Sequence, residues 1–239
     1  ANGAGSANTD GSISSTVSVN TTSGFSIVSY TGTGSNATVG HGLGVTPKMF
    51  IIKNRSDGTQ FWPVYHASLS GADQYLVLDQ AVSAQPGSAI FNSTAPTSSV
   101  FSVGGHGTTN GSGNNMIAYC FAEKKGFSKF GSYTSNNSSN GPFIYCGFKP
   151  AFLLLKNITT GNTSWELYDN KRTPNNVANL FLRPNTNEAN ISSDRLDILS
   201  NGFKLRQVGD TNANSDTIIY MAFAENPLVG TNNIPAVAR

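Results

Sequence analysis

Pro47-Lys48-Met49-Phe50-Ile51-Ile52-Lys53-Asn54 returns, in altered spelling, as Pro150-Ala151-Phe152-Leu153-Leu154-Leu155-Lys156-Asn157. Each copy is a proline, a short apolar run and a closing Lys-Asn. A Trp stands eight residues past each Asn, at Trp62 and Trp165, and a Tyr three further on, at Tyr65 and Tyr168. Each copy ends in Phe-Ala-Glu, at Phe121-Ala122-Glu123 and Phe223-Ala224-Glu225. Such spacing predicts one unit of about 100 residues built twice.

The apolar runs decide the fold class. Met49–Ile52 and Phe152–Leu155 are apolar at every position, as strands covered on both faces are. Each proline stands at the head of its run, where a missing N–H costs least. Outward from these runs, strand candidates recur at Phe25–Tyr30, Gln60–Tyr65, Tyr75–Leu78, Val100–Val103 and Met116–Ala122. In the second copy they fall at Ser164–Tyr168, Leu180–Leu182, Leu196–Leu199, Phe203–Arg206 and Ile218–Ala224. Asn201-Gly202 between two alternating runs signals a hairpin. Clean helical periodicity is absent. The expectation is an all-β chain of two tandem, internally repeated, jelly-roll-like β-sandwich domains.

The boundaries follow. Residues 1–22 are Gly, Ser, Thr, Asn and Ala with few large side chains, which predicts a flexible N-terminal arm or linker. Alternation at Ile13, Val17 and Val19 allows an edge strand within it. Repeat 1 is expected over 23–125, repeat 2 over 126–226 and a short tail over 227–239. The start at Ala1 without Met suggests a processed chain or a fragment.

Charged residues make up only 12% of 239, about half the usual share. There are 27 Asn against 13 Asp plus Glu. This surface hydrogen-bonds without carrying charge, which suits an extracellular particle or adhesin. A net charge of +2 without basic clusters argues against nucleic acid. No apolar run approaches the roughly 18 residues of a membrane helix. The two cysteines, Cys120 and Cys146, lie in different repeats and read as buried thiols.

The candidate sites are few. Trp62, Tyr65, Trp165 and Tyr168 are the candidate glycan-binding residues, since exposed aromatic rings stack on sugars; core packing is the competing reading. His41, His66 and His106 have no metal-ligand spacing, so no metal and no cofactor is expected. Asp194 and Asp197 beside Arg195 read as a salt-bridged turn rather than a glycosidase pair. Glu123 and Glu225 are expected to pair with Lys53 and Lys156. No catalytic constellation is present, and the chain is not expected to be an enzyme.

Gly40-His41-Gly42-Leu43-Gly44-Val45-Thr46-Pro47-Lys48-Met49 and Ser193-Asp194-Arg195-Leu196-Asp197-Ile198-Leu199-Ser200-Asn201-Gly202-Phe203-Lys204 carry a resemblance. So do Tyr119–Glu123, Phe127–Tyr133 and Ala222–Pro227. From about residue 20 onward the chain resembles a domain of unknown function in tail-fibre-like virion proteins of marine bacteriophages, including cyanophages. The resemblance implies the C-terminal module of a tail fibre, spike or similar appendage, mediating assembly and host-surface attachment. It implies a homo-oligomer, a trimer by preference, with other virion proteins and possible host-surface glycan as partners. The location implied is the virion, after synthesis in the host cytoplasm. A capsid-decorating or filament-forming protein, a carbohydrate-binding module and a polysaccharide depolymerase are the alternatives.

Overall fold

The computed structural model describes residues 3–225. The tail expected over 227–239 lies outside them. The chain divides into two compact units, one formed by Ala1–Leu78 with Ala84–Glu123, the other by Asp79–Ser83 with Lys124 onward. Both are built of antiparallel strands.

The first unit runs β1 (Ser6–Asn8), β2 (Ser15–Asn20), β3 (Phe25–Thr31), β4 (Ala37–Gly40), β5 (Met49–Asn54), β6 (Pro63–His66), β7 (Gln74–Val77) and β8 (Gln85–Pro86). A single helical turn α1 (Ser88–Phe91), β9 (Val100–Val103), a second turn α2 (Gly107–Asn110) and β10 (Asn115–Phe121) complete it. Eight strands form one sheet in the order β1-β2-β3-β10-β5-β6-β7-β8, and β4 pairs with β9 in a second. Val28 of β3, Phe50 and Ile52 of β5 and Ala118 and Cys120 of β10 meet Val39 and Phe101 of the small sheet in one core. Phe50 is its centre: its ring stacks on Tyr65 at 4.9 Å and meets Phe91 edge-on at 5.0 Å. Met49, Phe50, Ile51 and Ile52 are all buried, as their unbroken apolar run predicts.

The second unit runs β11 (Ser128–Thr134), β12 (Phe143–Tyr145), β13 (Pro150–Asn157), β14 (Glu166–Asp169), β15 (Ala178–Phe181), β16 (Ile191–Leu199), β17 (Gly202–Leu205) and β18 (Thr217–Ala224). Two four-stranded sheets, β11-β18-β13-β14 and β12-β17-β16-β15, enclose a core of Leu153, Leu155, Tyr168, Phe181, Leu196 and Phe203, among others.

The repeat is visible in the strand order. The set β3-β10-β5-β6 of the first unit corresponds to β11-β18-β13-β14 of the second, and β4-β9 corresponds to β12-β17. The units differ where β7 extends the large sheet while β15 crosses to pair with β16.

Two local expectations change. Within residues 1–22, read as an arm, residues 1 and 2 fall outside the described set, while β1 and β2 continue the large sheet beyond β3. The alternation seen in the sequence is the reason: Ile13, Ser15 and Val17 point inward while Ser14 and Thr16 face solvent. A strand of an antiparallel sheet needs only one apolar face, so a Ser/Thr-rich stretch suffices. The hairpin signalled by Asn201-Gly202 is present, but Leu199 pairs with Gly202 and the turn falls at Ser200-Asn201. Gly202 is already in the sheet. A Cβ there would stand 2.0 Å from the carbonyl oxygen of Ile144 on β12, so a side chain would push the two strands apart.

Cys120 and Cys146 are buried thiols and form no disulfide. Burial pushes the Cys120 thiol up to about 12.

Candidate functional site

The Lys-Asn that closes each apolar run begins a polar frame present in both units. Asn54 Oδ1 accepts from the N–H groups of Ser56 and Asp57, both at 3.0 Å, and Asn157 Oδ1 accepts from Thr159 and Thr160 at 2.9 and 3.0 Å. Their Nδ2 groups reach across the unit, Asn54 to Gly107 O at 2.8 Å and Asn157 to Asp210 O at 3.1 Å. A buried amide with both ends satisfied folds the turn after the strand and ties it to a distant loop.

That loop is itself duplicated, as Gly107-Thr108-Thr109-Asn110 and Gly209-Asp210-Thr211-Asn212. Tyr30 OH donates to Thr109 O at 2.6 Å, and Tyr133 OH to Thr211 O at 2.9 Å. Asn110 accepts from Thr33 N at 2.7 Å and Asn212 from Asn136 N at 3.1 Å. Sequence reading missed this motif. Its signal is present: each copy lies at the same distance before Phe-Ala-Glu.

The second unit carries charges in this frame. Lys156 is fully buried, its Nζ donating to Thr163 O and, at 3.2 Å, to Thr163 Oγ1. Burial lowers its pKa from 10.5 to about 8, opposed by the charge of Asp210. Glu166 is equally buried; Tyr168 OH and Thr211 Oγ1 donate to its Oε2, each at 2.8 Å. Burial raises its carboxyl above the ordinary range, against the pull of the Arg195 charge and these two hydrogen bonds. Among the described residues its Oε1 has no hydrogen-bond partner, nor does Arg195 Nε. Arg183 reaches Asp210 at 3.3 Å. Pro63 occupies the Glu166 position in the first unit, which hides the site from a search for duplicated residues.

The expected lysine–glutamate pairing gives way to a different arrangement. Glu225 pairs with Lys171 and accepts from Asn170, and Lys156 is held by Thr163. Lys53 donates to Gln60 O and stands 5.5 Å from the Trp62 ring centre. Asp197 forms its ion pair with Arg206, at 3.1 Å, within the sheet rather than a turn. His41 and His66 are buried and His106 is exposed. Among the described residues no three of His, Cys, Asp and Glu gather as a metal site.

The four candidate glycan residues do not form two stacking platforms. Trp165 is 1% exposed, Tyr168 0% and Tyr65 8%; only Trp62 is half-buried. Three rings belong to the cores and cannot meet a sugar. The exposed rings are elsewhere. Phe143 and Tyr145, 46% and 64% exposed, flank the buried Ile144 and so share the outer face of β12. An apolar-on-both-faces Phe-Ile-Tyr triplet on an edge strand was the sequence signal.

A cleft of about 410 Å³ in the first unit is lined by Ser14, Ser15, Thr16, Ser29, Thr31 and Arg55, among others, with the Ser15 hydroxyl turned inward to Gly40 O. Such a lining can hydrogen-bond a polyhydroxylated ligand. Glu166, sealed in the core, is beyond a polymer's reach. No helix among the described residues is long and apolar enough to cross a membrane.

No curated protein and no solved structure matches the chain. Residues 1–227 match the model of one family, β1 and β2 included, and the chain therefore belongs to the family described as a domain of unknown function, DUF7483.

Proposed function

We propose that this chain is a structural protein of a bacteriophage particle, a module of a tail fibre, spike or similar appendage that assembles as a homo-oligomer and contributes to host attachment. The observation that carries this reading is the duplicated polar frame. The same buried Asn, Tyr and Gly-x-Thr-Asn contacts hold loops to strands in both units, a use of buried hydrogen bonds that fixes shape rather than performs chemistry. The surface agrees, because hydrogen bonding without charge changes little with salt. Among the described residues the most buried carboxyl, Glu166, is held within the core by Tyr168 and Thr211.

Glycan recognition is the mode of attachment that one observation favours: Phe143 and Tyr145 present two rings on one exposed face. The test is immunogold electron microscopy of purified particles with antibodies raised to this chain. Label on an appendage is the expected result. Label confined to the capsid shell moves the protein to a decorating role, and unlabelled particles remove the virion reading.

A further inference from the structure

The first unit holds a buried hydroxyl against a side-chain carboxamide. Thr108, in α2, is fully buried, and its Oγ1 lies 2.6 Å from Gln60 Oε1. The carboxamide is held at its other end as well: Gln60 Nε2 donates to Asp57 Oδ2 at 2.8 Å. The main chain of Gln60 is fixed too, since its carbonyl oxygen accepts from Lys53 Nζ. Asp57 is in turn fixed by Thr59, whose N–H and hydroxyl donate to Oδ1 at 2.9 and 2.6 Å.

Other hydroxyl–glutamine contacts lack this setting. Ser70 meets Gln74 at 2.7 Å and Ser193 meets Gln207 at 2.5 Å, both on exposed surface where water competes. The second unit offers an internal contrast, because Asp210 and Thr163 occupy the positions of Thr108 and Gln60.

We propose that Thr108 and Gln60 join in an intramolecular ester that staples the loop after β5 to α2. Thr108 Oγ attacks Gln60 Cδ and the Cδ–Nε2 bond breaks. The hydroxyl proton passes to the departing nitrogen, with the Asp57 carboxylate beside that nitrogen as its carrier. One ammonia leaves and nothing is oxidised or reduced. Between free molecules the amide would be favoured. Here the reacting groups are held together, which replaces a bimolecular encounter, and the ammonia escapes to bulk water as ammonium. Burial of Thr108 keeps water from its oxygen.

The test is the intact mass of the purified full chain, followed by chymotryptic mapping. Chymotrypsin cuts between the two residues at Tyr65, Tyr75 and Phe101, so Gln60 and Thr108 otherwise end in separate peptides. A mass lower than the sequence by one ammonia, with these peptides joined, is expected. Thr108→Val restores the full mass, and Thr108→Ser keeps the loss. A chain of full mass overturns the proposal. So does an ammonia loss without joined peptides, the signature of cyclised Asn-Gly steps such as Asn110-Gly111. The wild-type measurement decides alone, even if a variant fails to fold.

Discussion

Lys156 makes the second unit more stable in mild alkali. Its ammonium is fully buried on Thr163, and its pKa falls from 10.5 to about 8 on folding. Between those values the unfolded chain holds a proton that the folded chain has released, so stability rises with pH. Below about pH 8 both states are protonated and the desolvation cost is constant. Above it each pH unit adds up to about 1.4 kcal/mol, or about 2 kcal/mol between pH 8 and 10 once the gradual onset is included. Lys156→Met removes the titration. It also leaves Thr163 O and Oγ1 without their donor, costing about 1–3 kcal/mol at every pH. The assay is urea unfolding followed by Trp165 fluorescence in a Trp62→Phe background, so that the signal comes from the second unit alone. The upper limit is pH 10 because Tyr133 and Tyr168 are pushed above their ordinary pKa by burial and begin to oppose the trend there. A rising wild-type curve over a flat Lys156→Met curve is the expected pair. Parallel curves would refute the reasoning.

Glu166 should act in the opposite sense. Its folded pKa is raised, so wild-type stability declines as pH climbs from about the ordinary glutamate value, whereas Glu166→Gln abolishes that decline in urea titrations; an unchanged slope removes the claim. Asn157→Ala breaks four hydrogen bonds and is expected to cost about 3 kcal/mol, with Asn54→Ala costing about 2 kcal/mol in the first unit. Losses below about 0.5 kcal/mol in thermal melts would contradict the polar frame. Trp165→Ala, emptying a fully buried site, should cost about 3–5 kcal/mol and Trp62→Ala distinctly less; equal losses would mean that Trp62 is as deeply packed. Deleting residues 1–20 removes Ile13 and Val17 from the core, worth about 4 kcal/mol together, and bares β3 as a sheet edge. Unchanged melting and solubility would show that β1 and β2 contribute nothing.

The fold was legible where side chains repeat their chemistry. Met49–Ile52 and Phe152–Leu155 announced covered strands, and the paired Phe-Ala-Glu endings announced the duplication. The first strands were harder, because a stretch of Ser and Thr paired into a sheet differs from a linker only in where Ile13 and Val17 point. The Gly-x-Thr-Asn loops were missed for another reason. Tyr30 and Tyr133 grip the main-chain oxygens of Thr109 and Thr211, and a carbonyl has no letter in a sequence. Trp165 and Tyr168 looked like a binding pair because aromatic residues serve cores and ligands with the same surfaces. Glu166 escaped because it has no twin in the first repeat. The Thr108–Gln60 contact spans 48 residues, a distance that local pattern does not cover.

Each unit contains one buried cysteine, Cys120 in the first and Cys146 in the second. An alkylating reagent in solution reaches either sulfur when its own unit opens. The chain therefore carries two native breathing gauges, separable by peptide mass. Their labelling rates would tell which half yields first under heat or shear, with no engineered probe.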